Sequence, residues 1–129
     1  MTDALSAASS ALDAMSVQVA AAAGNIANLD TDGYQAQRVN LATADDGQGV
    51  QVASVTRDTS PGSVRPDTST TTRDSADISE AGRTMAETSN VDPVRETLTM
   101  MEASRGFEAN VAVIRTQDAM AGALLDMRV

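Results

Sequence analysis

The sequence predicts a mainly α-helical chain: two long terminal helices packed as an antiparallel helical hairpin or coiled coil, with a small β-hairpin and an irregular middle segment between them. Three observations predict it. Apolar residues near the N-terminus recur at strict three- and four-residue steps. A second helical pattern, opened by a strong cap, fills the C-terminal part. The stretch between them is poor in large apolar side chains and rich in turn formers.

The first helix is expected over Asp3 to Leu29. Leu5, Ala8, Leu12, Met15, Val19, Ala22, Ile26 and Leu29 alternate in steps of three and four, the spacing of a coiled-coil seam. Asp3 can cap the start by accepting from an early helix N–H. Between Ala4 and Leu29 only Asp13 is charged. A solvent-facing helix normally carries a charged outer face, so this one suits packing on several sides.

The middle changes character. Gly33 and Tyr34 end the helix, Gln35 to Leu41 reads as a strand, and Asp45-Asp46-Gly47-Gln48-Gly49 reads as a turn. Val50, Val52 and Val55 follow with partial alternation, which makes a small hairpin over 34–56. From Arg57 to Asn90 only Val64, Ile78 and Met85 are large and apolar, whereas 13 residues are Ser or Thr. Such a stretch has too little to bury to offset its ordering entropy and is expected to be a mobile linker or to lie over a partner. The resulting division is 1–33 for the heptad helix and its exit loop, 34–56, 57–90, and 91–129 for the second helix. The two helices form one assembly domain.

The second helix begins at Asp92, a good N-cap, with Pro93 at the first helical position, where a missing N–H costs nothing. Val94, Leu98, Met101, Phe107, Val111, Ile114, Ala121 and Leu125 form its apolar side, interrupted by Asp118. Gly106 and Gly122 each lose about 1 kcal/mol relative to Ala inside a helix. Close approach by another backbone is the usual compensation, and a glycine merely tolerated there is the equal alternative. The assembly seam is therefore assigned to Leu5, Leu12, Met15, Val19, Ile26, Leu29, Leu98, Met101, Phe107, Val111, Ile114 and Leu125.

Composition bounds the function. Leu, Ile, Val and Phe together supply 23 of 129 residues, and Ala alone supplies another 23. With a net charge of −9 this is little material for a closed core, so burial is expected to be completed by other subunits. An acidic chain whose nine basic residues are scattered arginines does not fit nucleic acid. No apolar run approaches the ~20 residues of a membrane span, and the start lacks a secretory signal pattern. Without Cys or His, thiolate and imidazole metal sites are excluded and the commonest general base is missing. Asp30-x-Asp32-Gly33 opens like a calcium loop, but its twelfth position is Leu41 rather than Glu. The methionines Met100, Met101, Met120 and Met127 suit adaptable packing. No catalytic constellation, cofactor site or metal site is assigned.

Two motifs carry more specific information. Asn25-Ile-Ala-Asn-Leu-Asp-Thr-Asp-Gly-Tyr34 is a helix exit in physical terms. It resembles the N-x-A-N-x-x-T-x-G-Y signature of the flagellar rod and hook axial family, matching at Asn25, Ala27, Asn28, Thr31, Gly33 and Tyr34. Near the other end, Asn90, Val91, Asp92, Glu102, Arg105, Glu108 and Asn110 fall in a stretch that looks like the C-terminal signature of the same family. The resemblance implies a non-enzymatic structural subunit of the flagellar basal-body rod, located in the periplasmic rod and exported by the flagellar type III apparatus without a cleavable signal. Its implied partners are other rod proteins and copies of itself, with no membrane insertion of its own. The short middle makes the chain most like a proximal-rod subunit, since hook and distal-rod members insert large domains there. Glu102, Arg105 and Glu108 read either as a surface charge ladder or, through the resemblance, as a place where Arg105 bonds across subunits. A soluble helical adaptor, or an export-associated binding module presenting its seam to one partner, is the alternative from another class.

Overall fold

A computed structural model describes residues 2–45, 47–66 and 85–127. Helix α1 spans Thr2–Ala27, strand β1 Gln37–Thr43, β2 Val50–Arg57, β3 Val64–Pro66, β4 Met85–Glu87, and helix α2 Pro93–Asp126. The fold is mainly α with two small antiparallel β pairs, β1–β2 and β3–β4. Asp3 lies inside the first turn of α1 rather than at its cap, where a carboxylate still meets the positive end of the helix dipole. Asp92 does cap α2: its Oδ1 accepts from Val94 N at 2.9 Å and Arg95 N at 3.4 Å, with Pro93 at the first position.

The helices pack antiparallel. Met15 of α1 seats over Gly106 and reaches Asn110, while Ala21 and Ala22, two turns later, lie beside Glu96 and Thr99. A Cβ at Gly106 would sit 2.4 Å from Met15 Cε, so this glycine accommodates a side chain, not the expected backbone. Gly122 has open space around it.

The β1–β2 hairpin lies along α1. Its base is tied to Asn25, and Val50 N donates to Ser10 Oγ at 3.2 Å near its tip. The two spans agree: six strand steps cover about 20 Å, and the fifteen helical steps from Ser10 to Asn25 cover about 22 Å. At the tip Gly49 has φ +87, and a Cβ there would meet Ser10 Oγ at 2.3 Å and Ala7 Cα at 3.2 Å. Only glycine permits both that backbone and that approach. α1 thus has α2 and the hairpin against it, yet Leu5, Val17 and Ile26 stay exposed, so its nearly uncharged surface is only partly covered within the subunit.

A register shift in the hairpin explains the broken alternation of its valines. Asn40 pairs with Ser54 but Leu41 pairs with Val52, leaving Ala53 as the extra residue. The bulge puts Val50, Val52 and Val55 opposite Thr43, Leu41 and Val39, on one face. On that face Val39, Val50 and Val52 are half-buried while Leu41, Thr43 and Val55 are exposed, and on the other Asn40, Ala42, Gln51, Ser54 and Thr56 are all exposed.

Beyond the hairpin, structure continues further than composition suggests. Within 57–90, β3 pairs with β4, and Thr88 N donates to Ser63 O at 2.8 Å. Residues 67–84, the rest of the expected linker, lie outside the described residues. The core is made of small side chains: Ala8, Ala14, Ala22, Ala36, Ala103 and Val91 are its buried apolar residues. Sixteen large apolar side chains among the described residues are exposed instead.

Candidate assembly site

The two signature motifs, far apart in sequence, meet at one junction of the fold. Asn25, on the last turn of α1, is fully buried at 0% exposure. Its Oδ1 accepts from Gln37 N at 2.7 Å and from the Tyr34 hydroxyl at 3.2 Å, and its Nδ2 donates to Gln37 O at 2.9 Å. One amide thereby satisfies both backbone groups at the start of β1. Asn28 closes the helix by donating to Gly24 O at 2.8 Å, and its Oδ1 receives the Thr31 hydroxyl at 3.3 Å. Gly33, at φ +68, then reverses the chain and donates to Glu87 O at 2.8 Å.

Asn90 does the same work from the C-terminal side. Its Oδ1 accepts from Ala36 N at 2.7 Å, and its Nδ2 donates to Asp58 O at 2.7 Å and Ser60 O at 2.8 Å. Asn90 N donates to Tyr34 O, and Asp58 N to Ala36 O. Four segments (the exit of α1, the start of β1, the end of β2 and the lead into α2) are therefore fastened by two asparagines. An amide suits the task because it offers both donor and acceptor in one rigid plane.

An ion-pair cluster adjoins this clasp. Glu96, on the first turn of α2, is only 2% exposed and bonds Arg38 Nη1 of β1. Arg38 Nη2 also lies 3.7 Å from Asp58 Oδ2. Ser60, through its hydroxyl at 2.6 Å and its amide at 3.0 Å, holds the Asp58 carboxyl below the usual carboxylate range, with Arg38 and Arg95 adding to the effect. A buried ion pair contributes little net stability, but losing one partner strands the other charge. Sequence reasoning missed Arg38, Asp58 and Glu96, because nothing local marks a surface-type Glu as buried. An acid in the first turn of a capped helix is the faint signal available.

The remaining signature residues are placed differently. Val91 is buried at the junction, and Asn110 donates to Gly106 O at 2.8 Å beside Met15. Ala27, Thr31, Glu102, Arg105 and Glu108 are exposed, and the last three form no ion pair with one another. Of the seam residues, Met15, Val19 and Phe107 line one shallow groove between the helices. Leu12, Leu29, Val111 and Ile114 are half-buried, while Leu5, Ile26, Leu98, Met101 and Leu125 are exposed. The subunit alone does not bring the whole seam together. No helix among the described residues is long and apolar enough to cross a membrane.

Comparison with known families places the same two regions. Residues 5–35 match the family described as flagella basal body rod protein. Residues 83–127 match the C-terminal family of flagellar basal body rod FlgEFG proteins. No individual characterised protein matches significantly. Two matches at opposite ends, in order and meeting at the asparagine clasp, give one reading: the chain belongs to the flagellar basal-body rod proteins, structural and non-enzymatic components that associate with other basal-body proteins.

Proposed function

We propose that this subunit polymerises through its two terminal helices into the axial drive shaft of the rod, in the manner of a proximal-rod member. The observation that carries this is the inversion of the usual burial pattern: alanines fill the core while sixteen large apolar side chains stay exposed. Leu98 at 54% and Leu125 at 72% exposure sit on α2, more than half uncovered by the described residues. Exposed apolar surface on this scale is the mark of an association surface. Copies of the same chain and neighbouring rod proteins are the partners, the periplasm is the compartment, and the flagellar type III apparatus delivers the chain. Folding of the helices is completed on assembly.

Leu98→Asp and Leu125→Asp test this directly, because both side chains are exposed and the subunit itself should be unchanged. The expected result is normal export and helicity, with loss of the rod in electron micrographs of basal bodies and loss of motility. Wild-type rods from the double variant would refute assembly through these faces. A deletion strain with intact basal bodies would favour the adaptor.

A further inference from the structure

Two short stripes at opposite ends of α2 match each other. Val94, Leu98 and Met101 follow at steps of four and three near its start, and Met120, Leu124 and Met127 follow at the same steps at its end. On a helix turning 100° per residue, each set falls within an arc of about 60°. All six side chains are between 40% and 81% exposed. Glu96 and Ala103, which α2 buries, lie about half a turn round the helix from the first stripe. The second stripe runs past the start of α1. Met15 lies against Gly106 and Asn110, so at equal rise Thr2, the first residue of α1, falls opposite about Ala119 to Ala123. Leu124 and Met127 stand beyond it.

We propose that the end of α2 in one copy docks in parallel on the start of α2 in a second copy, with Met120, Leu124 and Met127 level with the second copy's Val94, Leu98 and Met101. The inference rests on the reading that the chain polymerises, and it names the contact. Residues at equivalent heptad positions of a parallel helix pair face each other at one level, so this register requires equal four-three spacing in both stripes. Arg105 supplies the charge complement. It follows Met101 by one turn on the same line, so it stands just past the docked Met127, where the last carbonyls of that helix point. The docked end carries Asp126 and no basic residue in its last turn. Arg105 is exposed and has no ion-pair partner among the described residues. From Val94 to Met120 is 26 residues, which sets successive copies about 39 Å apart along the helix axis. The two patches differ, so each added copy leaves a fresh one open and the series continues without closing at two. A contact this small is weak by itself, and free copies exchange.

Disulfide trapping of the purified full chain tests the register, because the chain has no cysteine of its own. Under mild oxidation, Leu124→Cys mixed with Leu98→Cys should couple about tenfold faster than either variant alone, since docking concentrates one thiol beside the other. A chain carrying both substitutions should give a ladder of linked oligomers. Sedimentation velocity supplies a second reading. Leu98→Asp and Leu124→Asp should each stay monomeric, yet their mixture should form dimers and nothing larger, because one intact patch remains on each. Arg105→Glu should weaken self-association of the otherwise unchanged chain about fivefold. If the mixed cysteine variants couple no faster than the single ones while the wild type still self-associates, this register is overturned and polymerisation stands. A wild type that stays monomeric at millimolar concentration would overturn both.

Discussion

Replacing Asn25 with alanine tests the junction at its most demanding point. The substitution removes the acceptor of Gln37 N at 2.7 Å and the donor to Gln37 O at 2.9 Å, at a residue with no solvent exposure. Gln37 is half-buried, so water replaces these bonds only in part unless the clasp opens. An unsatisfied buried backbone group costs about 1–3 kcal/mol, and two are created here. Allowing for partial relaxation, the expected loss is about 3 kcal/mol of local stability, a factor of about 150 in the opening equilibrium. Amide exchange followed by NMR reads this at one site, because the Gln37 N–H itself reports the opening. Its protection should fall by about two orders of magnitude, while amides in mid-α2 change far less. If Gln37 keeps its protection within a few-fold in a folded Asn25→Ala chain, the clasp does not hold β1 and the reasoning is wrong.

Other outcomes follow from the same geometry. Glu96→Ala strands Arg38 beside Asp58 and should destabilise by about 3 kcal/mol in denaturant unfolding, whereas Arg38→Met/Glu96→Leu together should lose markedly less. Asp58 titrates below its usual range when folded, so its stabilising contribution is full above the unfolded value near ~3.9 and disappears as pH falls through the folded one. Asp58→Asn should therefore flatten the acid limb of a melting-temperature profile. At Gly62 a Cβ would overlap Thr88 O, a backbone atom that cannot swing aside. Gly62→Ala should separate β3 from β4, seen as lost protection of Thr88 N, with both helices intact.

Local rules made the helices and the hairpin legible. Asp92-Pro93 announces α2, the three-four spacing announces α1, and the Gly47 to Gly49 turn with its valines announces β1 and β2. Strands β3 and β4 escaped because three residues each, Val64-Arg65-Pro66 and Met85-Ala86-Glu87, carry no periodicity. Asn25 and Asn90 were visible as motif residues but not as cross-links, since their partners are set by tertiary contact. The seam shows the sharper limit. A heptad records which residues require burial, and the fold decides which are covered: Ala8 and Ala22 are buried, while Leu5 and Ile26 on the same stripe are not.

The pairing of β3 with β4 brings Pro66 and Met85 side by side. Chain leaving that point must return to it, so the two strands act as a port through which sequence can be added without moving the clasp. In general, each doubling of a connection's length adds only about 0.6 kcal/mol of closure entropy. The junction and the helices below it can therefore stay constant while the port takes a larger insert. A folded domain grafted between Pro66 and Met85 should leave the Asn25 and Asn90 hydrogen bonds in place.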